Sequence, residues 1–240
     1  MTTDTPLDAW RAARYKRGMD HADAYLCRLY LVSPPRLAEG FADVLADALA
    51  AGDVGAFQLR LKGASDDAIR EAVRVLMPIS HAANVAFILN DRVDLAHELG
   101  TDGVHLGQED RTLAEARAIL GAEKVIGISC HDSRHLAMEA GEGGADYVAF
   151  GAYHPTQSKE PEKLAMYGTP AADLLPWWST YTTVPSVAIG GLTPENCGEL
   201  VRQGADFIAA ITAVWSHPEG AAAAVVEFNQ AIKAGLKTRG

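Results

Sequence analysis

The sequence predicts an α/β fold, a single (β/α)8 TIM barrel, and three observations predict it. Eight short apolar or β-branched runs recur along the chain, helix-like segments lie between them, and a Gly-x-Asp signal precedes three of the runs. The length of 240 residues suits a fold that typically takes about 250. In chain order the strand runs are LYLVS from Leu29, AFQLRL from Ala56, AFILN from Ala86, GVHLG from Gly103, KVIGIS from Lys124, YVAFG from Tyr147, SVAIGG from Ser186 and FIAAIT from Phe207. Helical spacing of Ala, Glu and Leu marks Asp66 to Ala83, Thr112 to Leu120, Pro194 to Gln203 and Pro218 to Lys233. Gly100-Thr-Asp, Gly144-Ala-Asp and Gly204-Ala-Asp repeat one junction, in which glycine ends a helix and the turn feeds the next strand. The competing architecture is an open doubly wound sheet, but its GxGxxG fingerprint is missing. Residues 1–25 read as an N-terminal extension with room to be mobile, and residues 26–240 as the barrel domain.

Charge and composition narrow the function classes. A formal net charge of −10 argues against nucleic acid as a partner, since tracking phosphates needs a basic face that releases counterions. Any phosphate bound here must be met locally. Cys27, Cys130 and Cys197 are odd in number and far apart, which gives neither a disulfide framework nor a CxxC metal site and suits a reducing compartment. The first 25 residues lack an apolar signal core, and no run approaches the roughly 18 apolar residues of a membrane span. The expectation is a soluble, cytoplasmic protein that acts on small molecules without a membrane partner; a homo-oligomer is left open.

In a barrel the chemistry sits where strands end, at the C-terminal face. The second strand ends in Gln58-Leu-Arg60-Leu-Lys62, and two-residue alternation throws the three polar residues to one side. Facing inward they ask for an anionic ligand or solvent; the bland alternative has them snorkelling among the helices. Asp91 and Asp110 follow neighbouring strands and together suit one Mg2+ ion shared with phosphate oxygens. Either alone reads rather as a helix cap, Asp110 before Arg111-Thr-Leu-Ala above all. Ser129-Cys130-His131 tempts a nucleophilic reading, but adjacent side chains on a strand point apart, so Cys130 is not expected to be catalytic, and Ser129 and His131 are the pocket candidates. After the sixth strand, Thr156, Ser158 and Lys159 offer hydroxyls and an ammonium to phosphoryl oxygens, and the charged stretch to Tyr167 looks like a mobile flap. The alternative is an incidental surface loop. Gly191 and Thr212, after strands seven and eight, suit a second phosphate site. The pattern is thus a diphosphate at Arg60, Lys62, Lys159 and the metal, with a monophosphate at Gly191 and Thr212.

The stretches QLRLK, ILNDRVDLAHELGTDGVHLGQED, IGISCH, FGAYHPTQSK and VAIGGLTPEN, spread in order between Leu29 and Val214, resemble the thiamine phosphate synthase (thiamine-phosphate pyrophosphorylase) family. The resemblance implies a Mg2+-dependent barrel transferase of thiamine biosynthesis. Such an enzyme joins hydroxymethylpyrimidine diphosphate to thiazole phosphate by a dissociative route that releases diphosphate. Residue by residue it implies pyrimidine contacts at Gln58 and His105 and diphosphate contacts at Arg60, Lys62, Asn90, Ser129 and Lys159. It implies metal ligands at Asp91 and Asp110, and places Thr156, Ser158, Gly191, Ile211 and Thr212 on the thiazole phosphate side. The chain departs from the family at Ser158 and Thr212, which exchange one hydroxyl residue for the other, at Ala152-Tyr153-His154, and in its N-terminal extension. Two rivals stand beside this reading: a thiazole tautomerase of the same superfamily, which also carries a His at the position of His131 but lacks the acidic pair, and a catalytically silent barrel that senses phosphorylated thiamine precursors.

Overall fold

The computed structural model describes residues 27–156 and 168–238. Eight parallel strands close on themselves in chain order, with β1 (Arg28–Val32) bonded to both β2 (Val54–Leu59) and β8 (Phe207–Ala210). Between these lie β3 (Ala86–Asn90), β4 (Gly103–Leu106), β5 (Val125–His131), β6 (Tyr147–Phe150) and β7 (Ser186–Ile189). The helices are α1 (Phe41–Ala50), α2 (Asp66–Ala82), α3 (Val93–Leu99), α4 (Leu113–Leu120), α5 (Arg134–Glu142), α6 (Leu174–Tyr181), α7 (Pro194–Gln203), a four-residue α8 (Thr212–Trp215) and α9 (Ala221–Lys237). The expected (β/α)8 barrel is therefore present.

Strand alternation sorts the apolar side chains into two cores. Ile88, Val125, Ala149, Val187 and Phe207 fill the barrel interior. Leu31, Phe57, Phe87, Val148 and Ile208 face outward into a larger layer beneath the helices. Burial on both faces is why the strands read as almost continuous apolar runs.

The repeated Gly-x-Asp has a structural job at the N-terminal ends of the strands. Asp102, just before β4, donates its backbone N–H to Phe87 O at 3.0 Å, and its carboxylate accepts the Phe87 N–H at 2.7 Å. Asp146 does the same with Ile126 of β5, at 2.8 Å both ways, and Asp206 with Ser186 of β7, at 3.1 and 2.7 Å. Each aspartate thus satisfies an N–H at the start of the preceding strand, where no strand partner reaches it. His81 Nε2 at 2.8 Å from Asp102 and the Arg117 guanidinium at 2.6 Å from Asp146 add side-chain partners. Asp206 also accepts the hydroxyl of fully buried Ser186. Asp206→Ala leaves that N–H and hydroxyl unmatched in the interior and is expected to cost about 2–4 kcal/mol in urea unfolding. A loss below about 0.5 kcal/mol, the size of an ordinary surface change, would contradict this role.

Boundaries moved where turn geometry overrode the pattern. The last helix begins at Ala221 rather than Pro218, because Gly220 stands at φ +91° immediately before it. Strand β8 stops at Ala210, and Ile211-Thr212 turn into α8 instead of extending the strand.

Candidate active site

All the polar residues singled out in the sequence that fall among the described residues lie at or beyond the C-terminal ends of the strands. On β2, Gln58 points into the barrel and is only 4% exposed, while Leu59 and Leu61 pack in the outer layer. In the turn beyond the strand end, Lys62 Nζ lies 3.6 Å from Asp91 Oδ2. Arg60 is half-buried between them in sequence, its N–H donating to Ser33 Oγ at 2.9 Å. The snorkelling alternative does not describe Gln58, which is buried and bonded to Tyr30.

Asn90 closes β3, and Asp91 follows with a left-handed φ of +63° while donating its N–H to His105 O on β4. That turn brings its carboxyl close enough to Asp110 for the two to act on each other electrostatically. Neither aspartate caps a helix. The cap of α4 is Thr112, in a capping box with Glu115, and Asp110 instead accepts the Gly107 N–H at 2.7 Å. Burial, and next the Asp110 contact, push the Asp91 carboxyl up to about 6, against the pull of Lys62. Two carboxylates held together in a half-buried place, with Lys62 beside only one of them at 3.6 Å, favour added positive charge. Among the described residues no group of three His, Cys, Asp or Glu side chains assembles, so a metal held by the pair would take its remaining ligands from water or substrate. Hard oxygen donors, few in number, fit Mg2+.

The interior beneath these groups holds a connected set of polar side chains. Gln58 Nε2 donates to Tyr30 OH at 2.8 Å, Tyr30 OH meets Tyr147 OH at 2.8 Å, and Tyr147 OH meets His105 Nδ1 at 2.9 Å. His105 Nε2 then meets Ser129 Oγ at 2.8 Å, at the edge of the mouth. Gln58, His105 and Ser129 were expected at the site; Tyr30 and Tyr147 were missed. Both stand on the inward register of their strands, where a tyrosine within an apolar run reads as core.

Cys130 lies on the other side of β5, fully buried in the outer layer, where burial raises its thiol to about 12. A thiol so far from ionising is no nucleophile. Cys130→Ala is expected to keep at least about half the turnover of the unaltered chain, the removed atom being remote from the mouth; a tenfold loss with an unchanged unfolding midpoint would contradict this. The register shifts between Ser129 and His131, and His131 adopts φ +54°, so simple alternation does not carry the expected pairing of those two side chains.

At β6 and β7 the chain needs glycine for close approach. A Cβ on Gly191, at φ +61°, would come within 2.5 Å of Pro155 O, so the turn after β7 and the loop after β6 lie directly against each other. Tyr153 N–H donates to Ile189 O and His154 N–H to Gly190 O along that seam. Thr156 follows, half-buried, while Ser158, Lys159 and most of the expected flap lie outside the described residues. Ile211 and exposed Thr212 stand at the neighbouring mouth position, where α8 is tied back by Trp215 Nε1 donating to Val32 O at 2.6 Å.

The sequence and the barrel have known counterparts. A family model described as thiamine monophosphate synthase matches residues 29–214. The chain belongs to the thiamine monophosphate synthase family. It is 55% identical over 208 residues to the thiamine-phosphate synthase of Rhodospirillum centenum, covering 86% of this chain and 98% of that one. It is 49% identical over 197 residues to the enzyme of the same name from Erythrobacter litoralis, covering 81% and 91%. Among solved structures, thiamine phosphate pyrophosphorylase from Pyrococcus furiosus superposes with a TM-score of 0.75 at 30% identity, over 87% of this chain and 96% of that one. As a member of the synthase family the chain is a transferase of thiamine biosynthesis. Among the described residues no helix is long and apolar enough to cross a membrane.

Proposed function

We propose that thiamine-phosphate synthesis proceeds at this mouth by a dissociative, Mg2+-assisted route from hydroxymethylpyrimidine diphosphate and thiazole phosphate. The observation that carries the reading is the Asp91–Asp110 pair, brought together beside Lys62 without serving as helix caps. Bound at that pair, Mg2+ supplies positive charge to diphosphate oxygens. Arg60 and Lys62 add fixed positive charge as the carbon–oxygen bond breaks, and Asn90 and Ser129 add hydrogen-bond donors. Lys159 joins them on the strength of the sequence alone. Gln58 and His105 hold the pyrimidine from below, while Thr156, Ser158, Gly191, Ile211 and Thr212 take the thiazole phosphate.

A route in which diphosphate leaves first needs no protein nucleophile, in keeping with the buried, un-ionised Cys130. The protein's contribution is to hold two substrates at high effective concentration and to stabilise charge on the leaving group. Three free cysteines support a reducing, cytoplasmic setting. The acidic pair favours the synthase over a tautomerase or a silent sensor, neither of which releases diphosphate. The test is diphosphate release with each component omitted in turn. Release only when both substrates and Mg2+ are present is expected; thiazole isomerisation without diphosphate release would favour the tautomerase.

A further inference from the structure

The chain of five side chains across the barrel, Gln58–Tyr30–Tyr147–His105–Ser129, joins two groups assigned to opposite ends of one substrate. Its links are 2.8, 2.8, 2.9 and 2.8 Å, and its inner members are buried. The fold makes room for it at a specific place. Gly127, opposite Tyr147 in the β5–β6 register, has no side chain, and a Cβ there would lie 1.9 Å from the Tyr147 ring. The ring thereby lies across β5 and stacks under His105, with centroids 5.5 Å apart and planes 20° apart. Tyr30 meets Tyr147 edge-on at 6.0 Å, which leaves the two hydroxyls facing.

The chain can run in either of two directions, and they differ in what they leave Ser129 to offer. The Gln58 amide nitrogen donates to Tyr30, whereas in the contact between the two phenols either hydroxyl can be the donor. Run outward from Gln58, Tyr30 donates to Tyr147 and Tyr147 to His105 Nδ1, the imidazole proton is on Nε2, and that N–H donates to Ser129 Oγ. The Ser129 proton is left to point into the mouth. Reversed, the chain would spend that proton on His105 and turn oxygen lone pairs toward an anion. Both phenols must stay neutral to relay a hydrogen bond, and burial raises both, Tyr30 to about 12.

We propose that Tyr30 and Tyr147 are positioning residues that fix the Ser129 hydroxyl as a donor to the leaving diphosphate and tie its orientation to Gln58 at the pyrimidine end. The proposal rests on the diphosphate contact assigned above to Ser129. It predicts an effect at a distance: Tyr30→Phe keeps the ring and its packing but cuts the chain three hydrogen bonds away from Ser129.

The experiment is a double-mutant cycle read in kcat and KM. Tyr30→Phe and Tyr147→Phe are each expected to lower kcat about 5- to 30-fold, the loss of an oriented hydrogen bond to a charged group. In a Ser129→Ala background the same two changes should cost less than about twofold, because the group they orient is gone. Equal fold losses in both backgrounds would overturn the proposal and show that the tyrosines act through packing alone. An unchanged kcat/KM in Ser129→Ala itself would instead overturn the diphosphate contact assigned to Ser129, and this inference with it. Thermal unfolding of every variant accompanies the kinetics. If one phenylalanine variant fails to fold, the cycle is complete with the other, since both cut the same chain.

Discussion

Asp91→Asn is expected to lower turnover at limiting Mg2+ by about 10²-fold or more while leaving the barrel folded. Changes to groups that merely support a metal ligand cost 10- to 100-fold in affinity or activity, and a direct ligand sits above that range. Here the proposed donor set is only two carboxylates, so replacing one by a neutral amide removes half of its negative charge. The effect on stability has the opposite sign. Burial and Asp110 raise the Asp91 carboxyl to about 6, above its unfolded value, so the folded state holds that proton more tightly. The associated stability is present below the unfolded pKa, is lost as pH rises toward 6, and stays lost at neutral pH. With chelator at pH 7, the asparagine variant should therefore unfold at the same temperature as the unaltered chain or higher. A Mg2+ titration of turnover, set beside thermal unfolding in chelator, checks both parts. Unaltered Mg2+ dependence would remove Asp91 from the metal, and a lower unfolding temperature would show that its charge supports the fold.

Gly127→Ala is expected to be the more damaging change to the fold, although it adds one methyl group. The new carbon would sit 1.9 Å from Tyr147 Cζ and within 2.4 Å of two neighbouring ring carbons. The ring cannot swing aside, because Tyr30 and His105 pack and hydrogen-bond against it. Overpacking of this kind costs about 1–3 kcal/mol or more. For a chain of this size that lowers the unfolding midpoint by roughly 3–10 °C. Activity should fall as well, since displacing Tyr147 breaks the link to His105. Gly127→Ala combined with Tyr147→Val should recover part of the stability, the smaller side chain vacating the clash, but not the activity. A single variant as stable as the unaltered chain would contradict the close approach; a double variant that regains full turnover would contradict the part given to Tyr147.

The legible part of this molecule was the part governed by local pattern. Strand β3 was read to the residue because AFILN ends at Asn90, where the backbone turns left-handed at Asp91. The α7 limits were read equally well, since Pro194 opens that helix and Gly204 in αL closes it. Gly-x-Asp was recognised as a repeat, but its purpose was not visible, because each carboxylate satisfies a strand that lies about 15 to 20 residues earlier in the chain. Gln58, Asp91, Asp110 and Ser129 were legible as polar residues at strand ends. Tyr30 and Tyr147 were not, because a tyrosine in an apolar run reads as core. Only the barrel's closure brings their hydroxyls together across 117 residues of chain. The direction of His131 was lost to a bulge, which alternation cannot foresee.

The proposed function has Asp91, Asp110, Arg60 and Lys62 act as one clamp that takes metal and diphosphate together. Calorimetric titration of inorganic diphosphate into the protein, with Mg2+ and again in metal-free buffer, tests it without relying on turnover. Metal and anion bound as a unit must raise each other's affinity by the same factor. The account predicts diphosphate binding about 10²-fold tighter with Mg2+ present, with most of that gain lost in Asp91→Asn. The same diphosphate affinity with and without Mg2+ would contradict it.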